Sequence, residues 1–206
     1  MTDRVGDAVI YDFETLGTEP TDSVVISVAI LTFNTKRVKY GPDYSYDELL
    51  KRVRVLKFDV QDQVHQYKRK IYPDTLEWWG KQSKEAQKQL APSSRDRSIS
   101  KLPSFLADSA IWDTIKVVYT RNNTFDPPFM KYIHRDTGTT MPYAEWVVRD
   151  TKSTIDGMTW GQNIRDNFIV EGLEKQFIAH DPAHDIAMDV MRLQFLSRLL
   201  IDEIPF

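Results

Sequence analysis

Two apolar runs near the start of the chain limit its fold more than any other feature. Val9-Ile10-Tyr11 leads into Asp12-Phe13-Glu14-Thr15, and Val24 to Phe33 (VVISVAILTF) follows after a short link. Near-continuous apolar runs of this kind suit strands buried on both faces. Thr18-Glu19-Pro20-Thr21 between them reads as a turn, and the link is too short for a crossover helix. The two strands are therefore expected to pair as an antiparallel hairpin. Within the first strand, Asp12 and Glu14 sit two apart, which puts both carboxylates on one side. Two anions at the edge of a core repel each other unless cations, a shared proton or full solvation offset the charge. A shared hard divalent ion is one answer and a solvated strand end is the other; this stretch alone does not separate them.

The rest of the chain reads as mixed α/β. Lys36 to Tyr40 is expected as a third, edge strand. Pro73-Asp74-Thr75 has the pattern of a helix start, and Ser83 to Leu90 reads as helix ended by Ala91-Pro92. Ser98 to Ala107 is expected to be amphipathic, with Ile99, Leu102, Phe105 and Leu106 on one face. Lys116 to Thr120 (KVVYT) reads as a strand, the segment to Phe129 as its exit into a helix running to about Arg135, and Trp146-Val147-Val148 as the last strand. Asp150 is placed to cap a short helix. The last helix, from about His184 to Ile201, carries Ile186, Val190, Leu193, Phe195 and Leu196 as an apolar stripe. Without a visible boundary or repeat, residues 1 to 206 are expected to form one domain.

The chain has no cysteine, which excludes disulfides, thiol catalysis and Cys-type zinc sites. No apolar run approaches the roughly 20 residues of a membrane span, and the first residues lack a signal-peptide core; a cytoplasmic protein is expected. Net charge is −3, from 27 Lys and Arg against 30 Asp and Glu, but it is uneven. Residues 51 to 101 hold 13 basic and 6 acidic side chains, a balance of +7, against −10 elsewhere. A basic helical segment beside an acidic body suits an anionic polymer held near a metal-binding acidic site.

Further acids stand where they could join Asp12 and Glu14. Asp126 follows the KVVYT strand and precedes two prolines, as a helix N-cap does, and the end of a strand is also where open α/β sheets place ligands. Asp185 stands near the start of the last helix, where an acid complements the dipole, and His180 lies in the loop before it. Taken singly, each has an ordinary structural explanation; together with Asp12 and Glu14 they form a specific set.

The Asp-x-Glu-Thr strand, the Asn-x-x-Phe-Asp-x-x-Phe segment and the His-x4-Asp segment, in this order, resemble the DEDDh (DnaQ-like) 3′→5′ exonucleases, and more narrowly the exodeoxyribonuclease A type of T-even phages. Phe58-Asp59, Thr75 to Trp79, Arg149-Asp150 and Ala179-His180-Asp181 are similar to that group too. Pro182 departs from the wider family, which has a small alanine there, and the tyrosine variant of the superfamily would need Tyr where this chain has Asp181. The resemblance implies an RNase H-like mixed β-sheet flanked by helices. It also implies a two-metal hydrolysis with Mg²⁺, or Mn²⁺ in its place. In it Asp12 bridges both ions, Glu14 and Asp185 complete the ion that binds the attacking water, Asp126 holds the second ion, and His180 is the general base. The product would be a nucleoside 5′-monophosphate, released from a single-stranded nucleic acid with a free 3′ end.

Substrate contacts are expected from Phe13, Thr15, Leu16 and Asn123, with core packing an equal reading for Phe13 and Leu16. Trp78 and Trp79 are base-stacking candidates, but adjacent helical residues face different ways, so one belongs to the core. The basic residues of 51 to 101 either track phosphates or form a solvated surface. DNA is favoured over RNA by the narrower resemblance. A catalytically weak nucleic-acid-binding protein and a small-nucleotide phosphodiesterase on the same fold are the competing classes.

Overall fold

The computed structural model describes residues 5–160, 162 and 164–203. Its centre is a five-stranded sheet in the order β3-β2-β1-β4-β5. The first strand, β1 (Ala8–Thr15), pairs antiparallel with β2 (Val25–Phe33), as the short link requires. All nine residues of β2 are buried, which explains its unbroken apolar run. On the other side β1 pairs parallel with β4 (Val117–Thr120), and β4 with β5 (Val148–Asp150). β3 (Arg54–Lys57) forms the opposite edge, antiparallel to β2.

The alternation of β1 decides where its acids point. Ala8 and Ile10 pack against Ile186, Val190 and Leu193 of the long helix α9 (Pro182–Glu203). Val9, Tyr11 and Phe13 pack on the opposite face against Phe129, Met130 and Ile133 of α7 (Asp126–Thr137) and against Leu102 and Leu106 of α6 (Leu102–Ser109). Asp12 and Glu14 continue the Ala8–Ile10 side, so they run out of the apolar layer toward the start of α9. A bulge between Glu14 and Thr15 ends the regular register there, as bulges beside functional sites commonly do.

The α9 face also carries α1 (Thr35–Tyr40), α2 (Tyr46–Arg52) and α8 (Thr151–Met158). Helices α3 (Val60–Gln66), α4 (Pro73–Gly80) and α5 (Lys84–Gln87) follow β3, and Trp79 and Ala86 join Leu16, Val24 and Ile26 in a third apolar cluster. The helix starts expected at Pro73 and Ser83 are present, Ser83 capping the Ala86 amide. No helix among the described residues is long and apolar enough to cross a membrane.

Four expectations need correction. Lys36 to Tyr40 is helix α1, because Asn34 caps the Arg37 amide and Asp7 takes the Thr35 amide and hydroxyl; the edge strand is β3 instead. The last strand starts at Val148, since Glu145–Val147 forms a 3₁₀ turn. Phe195 is 40% exposed and stands outside the buried stripe of α9, against Phe168. Asp126 is not the cap of its helix; it is the first helical residue, Phe125 precedes it as cap, and its carboxylate accepts the Phe13 amide of β1 at 3.1 Å. The expected cap at Asp150 does form, to Ser153.

Candidate active site

Asp12, Glu14, His180 and Asp185 line one cavity of about 540 Å³ at the end of β1, with Phe13 and Thr15 in its wall. Asp126 stands behind it, 2% exposed and tied to the Phe13 amide. These groups come from β1, the first turn of α7, which follows β4, and the first turn of α9 with the loop before it. Ligand atoms of Glu14, His180 and Asp185 all lie within 4.8 Å of one another.

The entry to α9 is built for this position. Asp181 accepts the Ala183 and His184 amides, so it caps the helix, and Pro182 follows as the first helical residue, where a missing N–H costs nothing. The departure at Pro182 thus has a local reason. His180 has φ +63°, the left-handed region that a non-glycine residue enters only when its surroundings hold it. The hold is visible: the His180 amide donates to Asp185 at 3.0 Å, and the Trp78 ring meets the imidazole edge-on at 4.7 Å between centroids.

Charge is concentrated here without matching cations. Burial raises Asp12 well above its ordinary value, and Asp126, Glu14, Asp185 and Asp189 add to the rise. Burial also raises Glu14, with Asp185 and Asp126 contributing. Asp126 is pushed up to about 7 by burial, against the pull of the Phe13 amide. Asp185 likewise rises to about 7 by burial and by Asp189, with the His180 amide, Arg192 and Arg121 opposing. Burial lowers His180 and favours its neutral form. Acids that resist ionisation side by side are what a dication site needs, because the ion supplies the missing charge.

The expected substrate contacts divide. Leu16 is buried in the cluster with Trp79 and does not face the acid cavity, and Asn123 lines a separate cavity with Pro127, Pro128 and Tyr143. Asn123 accepts the Thr120 hydroxyl and gives its amide to Asp150. Of the tryptophans, Trp79 is the core residue, its indole donating to Thr15 O, while Trp78 is 41% exposed in the cavity wall. Most of the basic segment is exposed, though some of its side chains make contacts within the fold. Arg69 is buried against Asp136 and Ser23 O, Lys70 pairs with Asp22, and Lys57 donates to Ala91 O.

Sequence reasoning missed two neighbours of the acids. Asp189 is one helical turn beyond Asp185, 2% exposed, and bonded to Thr151, Arg121 and Arg192. Its signal was a charged residue beside Ile186 and Val190 in an apolar stripe. Arg121, which joins β4 to the Asn122-to-Asp126 segment, also lines the cavity.

Comparison with known proteins agrees with this geometry. The chain is 29% identical over 208 residues to the exodeoxyribonuclease of Enterobacteria phage T4, covering 92% of this chain and 88% of that one. Solved structures of E. coli exonuclease I share the fold. The complex with a dA16 oligonucleotide gives a TM-score of 0.59 at 15% identity over 94% of this chain, and a zinc-bound complex with single-stranded DNA gives 0.54 at 14% over 95%. The chain spans only 41% and 40% of those two chains. Taken with the family model that matches most of the chain, these likenesses define a 3′→5′ exonuclease. More narrowly, the family model described as "3'-5' exoribonuclease Rv2179c-like domain" matches residues 7–189, and the chain belongs to that family.

Proposed function

We propose that this exonuclease removes nucleoside 5′-monophosphates from the 3′ end of single-stranded DNA, using two divalent ions held by Asp12, Glu14, Asp126 and Asp185, with His180 as general base. The observation that carries the reading is the convergence of Asp12, Glu14 and Asp185 in one cavity, with Asp126 buried behind it and their charge unmatched. The nearby cations, Arg121 and Arg192, are paired instead with Asp166 and Asp189.

The donor set fits Mg²⁺ or Mn²⁺: hard carboxylate oxygens and no thiolate. When bound, such ions supply an activated water and a charge for the leaving 3′-oxygen. The chain's own part is to exclude water, orient the terminal nucleotide and move a proton. Phe13, Phe125 and Trp78 give the cavity apolar walls against which a terminal base and sugar can rest. His180, held neutral by burial, takes the proton of the attacking water. The 4.8 Å grouping of His180 with Glu14 and Asp185 favours one second reading, in which His180 is itself a ligand.

Preference for DNA follows the name of the phage relative, an exodeoxyribonuclease, and the oligonucleotide bound to the E. coli structure. The family description names RNA instead. Degradation of matched 5′-labelled single strands of DNA and RNA, with Mg²⁺ and with EDTA, tests the proposal. Stepwise shortening of the DNA strand from its 3′ end is expected, faster than that of RNA and absent in EDTA. Faster shortening of RNA would reverse the substrate assignment, and undiminished shortening in EDTA would remove the metal mechanism.

A further inference from the structure

Arg121 has no role in the mechanism above, yet among the described residues it is the only lysine or arginine lining the acid cavity. Its guanidinium is fixed from two sides. One nitrogen donates to Asp189 at 2.7 Å and the other to Asp166 at 2.9 Å.

A purely structural explanation would make Arg121 the counter-charge of buried Asp189. That position is already filled. Arg192, itself 4% exposed, donates to the same Asp189 oxygen at 2.6 Å, and Thr151 donates to the other at 2.5 Å. Arg121 by contrast keeps 28% of its side chain exposed and lines the cavity. The guanidinium has five N–H donors, of which its contacts with Asp189 and Asp166 use at most three. Two guanidiniums and two carboxylates leave the cluster neutral, so the fork is oriented at no net charge cost. A planar, pre-oriented fork with spare donors at the edge of an anion-processing cavity is suited to a phosphate oxygen.

We infer that Arg121 contacts a non-bridging oxygen of the phosphate being cleaved, and keeps that contact with the 5′-phosphate of the released mononucleotide. The inference rests on the exonuclease reading and adds a substrate-binding residue to it. Asp166 and Asp189 act as positioning residues for the fork.

The test compares wild type with Arg121→Gln and Arg121→Lys in Mg²⁺. Shortening of a 5′-labelled single strand by wild type comes first, because its absence would defeat the exonuclease reading whatever Arg121 does. The logarithm of kcat/KM is then plotted against the logarithm of salt concentration. Each lost phosphate contact on a single strand flattens that slope by about 0.7. Arg121→Gln is expected to flatten it by about that much, and Arg121→Lys, which keeps the charge, to leave it steep. A second measurement uses the product as ligand, with Ca²⁺ in place of Mg²⁺. Thymidine 5′-monophosphate is expected to bind the Gln variant about tenfold more weakly than wild type, and the Lys variant about threefold more weakly, with thymidine unchanged. If the Gln variant does not fold, the Lys variant decides by its selective loss of the monophosphate. A lower rate with an unchanged salt slope in the Gln variant, or equal weakening of monophosphate and nucleoside in either variant, would reduce Arg121 to a structural clamp and overturn the inference.

Discussion

Asp126→Asn is expected to make the metal-free protein more stable while making it inactive. The side chain is 2% exposed, and burial pushes it from the ordinary aspartate value of 3.8 to about 7. At about 1.4 kcal/mol per pH unit, holding it ionised at pH 8 costs the folded chain at most about 4 kcal/mol. The sign follows from proton counting. The folded chain keeps this proton up to about pH 7, whereas the unfolded chain releases it near pH 4. Wild-type stability is therefore complete below about pH 4 and is lost as pH rises through about 7. Asparagine has no proton to lose and keeps an oxygen for the Phe13 amide. Part of the gain goes to burying the new amide, which leaves about 1–3 kcal/mol at pH 8, or roughly 3–10 °C in Tm for a chain of this size. Urea unfolding in EDTA at pH 8 and at pH 4.5 measures it. The midpoint should rise at pH 8 with an unchanged slope, and the gap should shrink to under about 1 kcal/mol at pH 4.5. In Mg²⁺ only wild type should gain further stability, by mass action. A variant less stable than wild type at pH 8, or a gap independent of pH, would refute the charge-stress argument.

Five other outcomes follow from the same site. EDTA should abolish hydrolysis, and Mg²⁺ or Mn²⁺ should restore it, as a rate assay with stepwise metal addition will show. A closed circular single strand should survive while its linear form is consumed, because a terminal nucleotide must enter the cavity; nicking of the circle on a denaturing gel would contradict this. Asp185→Asn should weaken Mn²⁺ binding by calorimetry and remove nearly all activity, whereas His180→Ala should keep Mn²⁺ affinity and lose roughly 10²–10⁴ in rate. Loss of Mn²⁺ affinity in His180→Ala would support the ligand reading. The wild-type rate should climb with pH as His180 loses its proton, with a midpoint below the ordinary 6.5 because burial lowers it, and that limb should vanish in the alanine variant. His184→Ala should cost stability rather than rate, since its Nδ1 is engaged with the Tyr46 hydroxyl at 2.9 Å.

What could be read from the sequence depended on the range of the interaction that decides each feature. The β1–β2 hairpin was legible because a short link and two apolar runs leave one pairing. The acids were legible because a period of two on β1 and the punctuation at Asn122-to-Pro128 and His180-to-Pro182 are local signals. Helix α1 was lost to a local signal of another kind, the Asn34 cap, which outweighed the β-like look of Arg37-Val38-Lys39-Tyr40. The place of Asp126 was not legible, since it depends on an amide from a strand more than a hundred residues earlier. Arg121, Asp166, Asp189 and Arg192 were equally hidden, because no pattern in one segment announces a cluster shared by the end of β4, the loop before α9 and α9 itself.

These two kinds of feature meet at the start of α9. The fold gathers four acids that repel one another, Glu14 and Asp126 buried and Asp12 and Asp185 partly so, and places a neutral ion-pair cluster directly behind one of them. Asp185 is raised by Asp189 and lowered by Arg192 and Arg121, so that single turn of helix carries both the stress and part of its relief. A chain selected for stability alone would fill the positions of Asp12 and Asp126 with apolar groups, since buried charges without partners are destabilising. It would also have no reason to hold His180 in a left-handed backbone conformation. Strain and unmatched charge at one cavity are costs in different physical terms, and divalent ions brought in with a phosphodiester would relieve the electrostatic one. Function is therefore the simplest account of why strained backbone and unmatched charge collect where β1, α7 and the start of α9 come together.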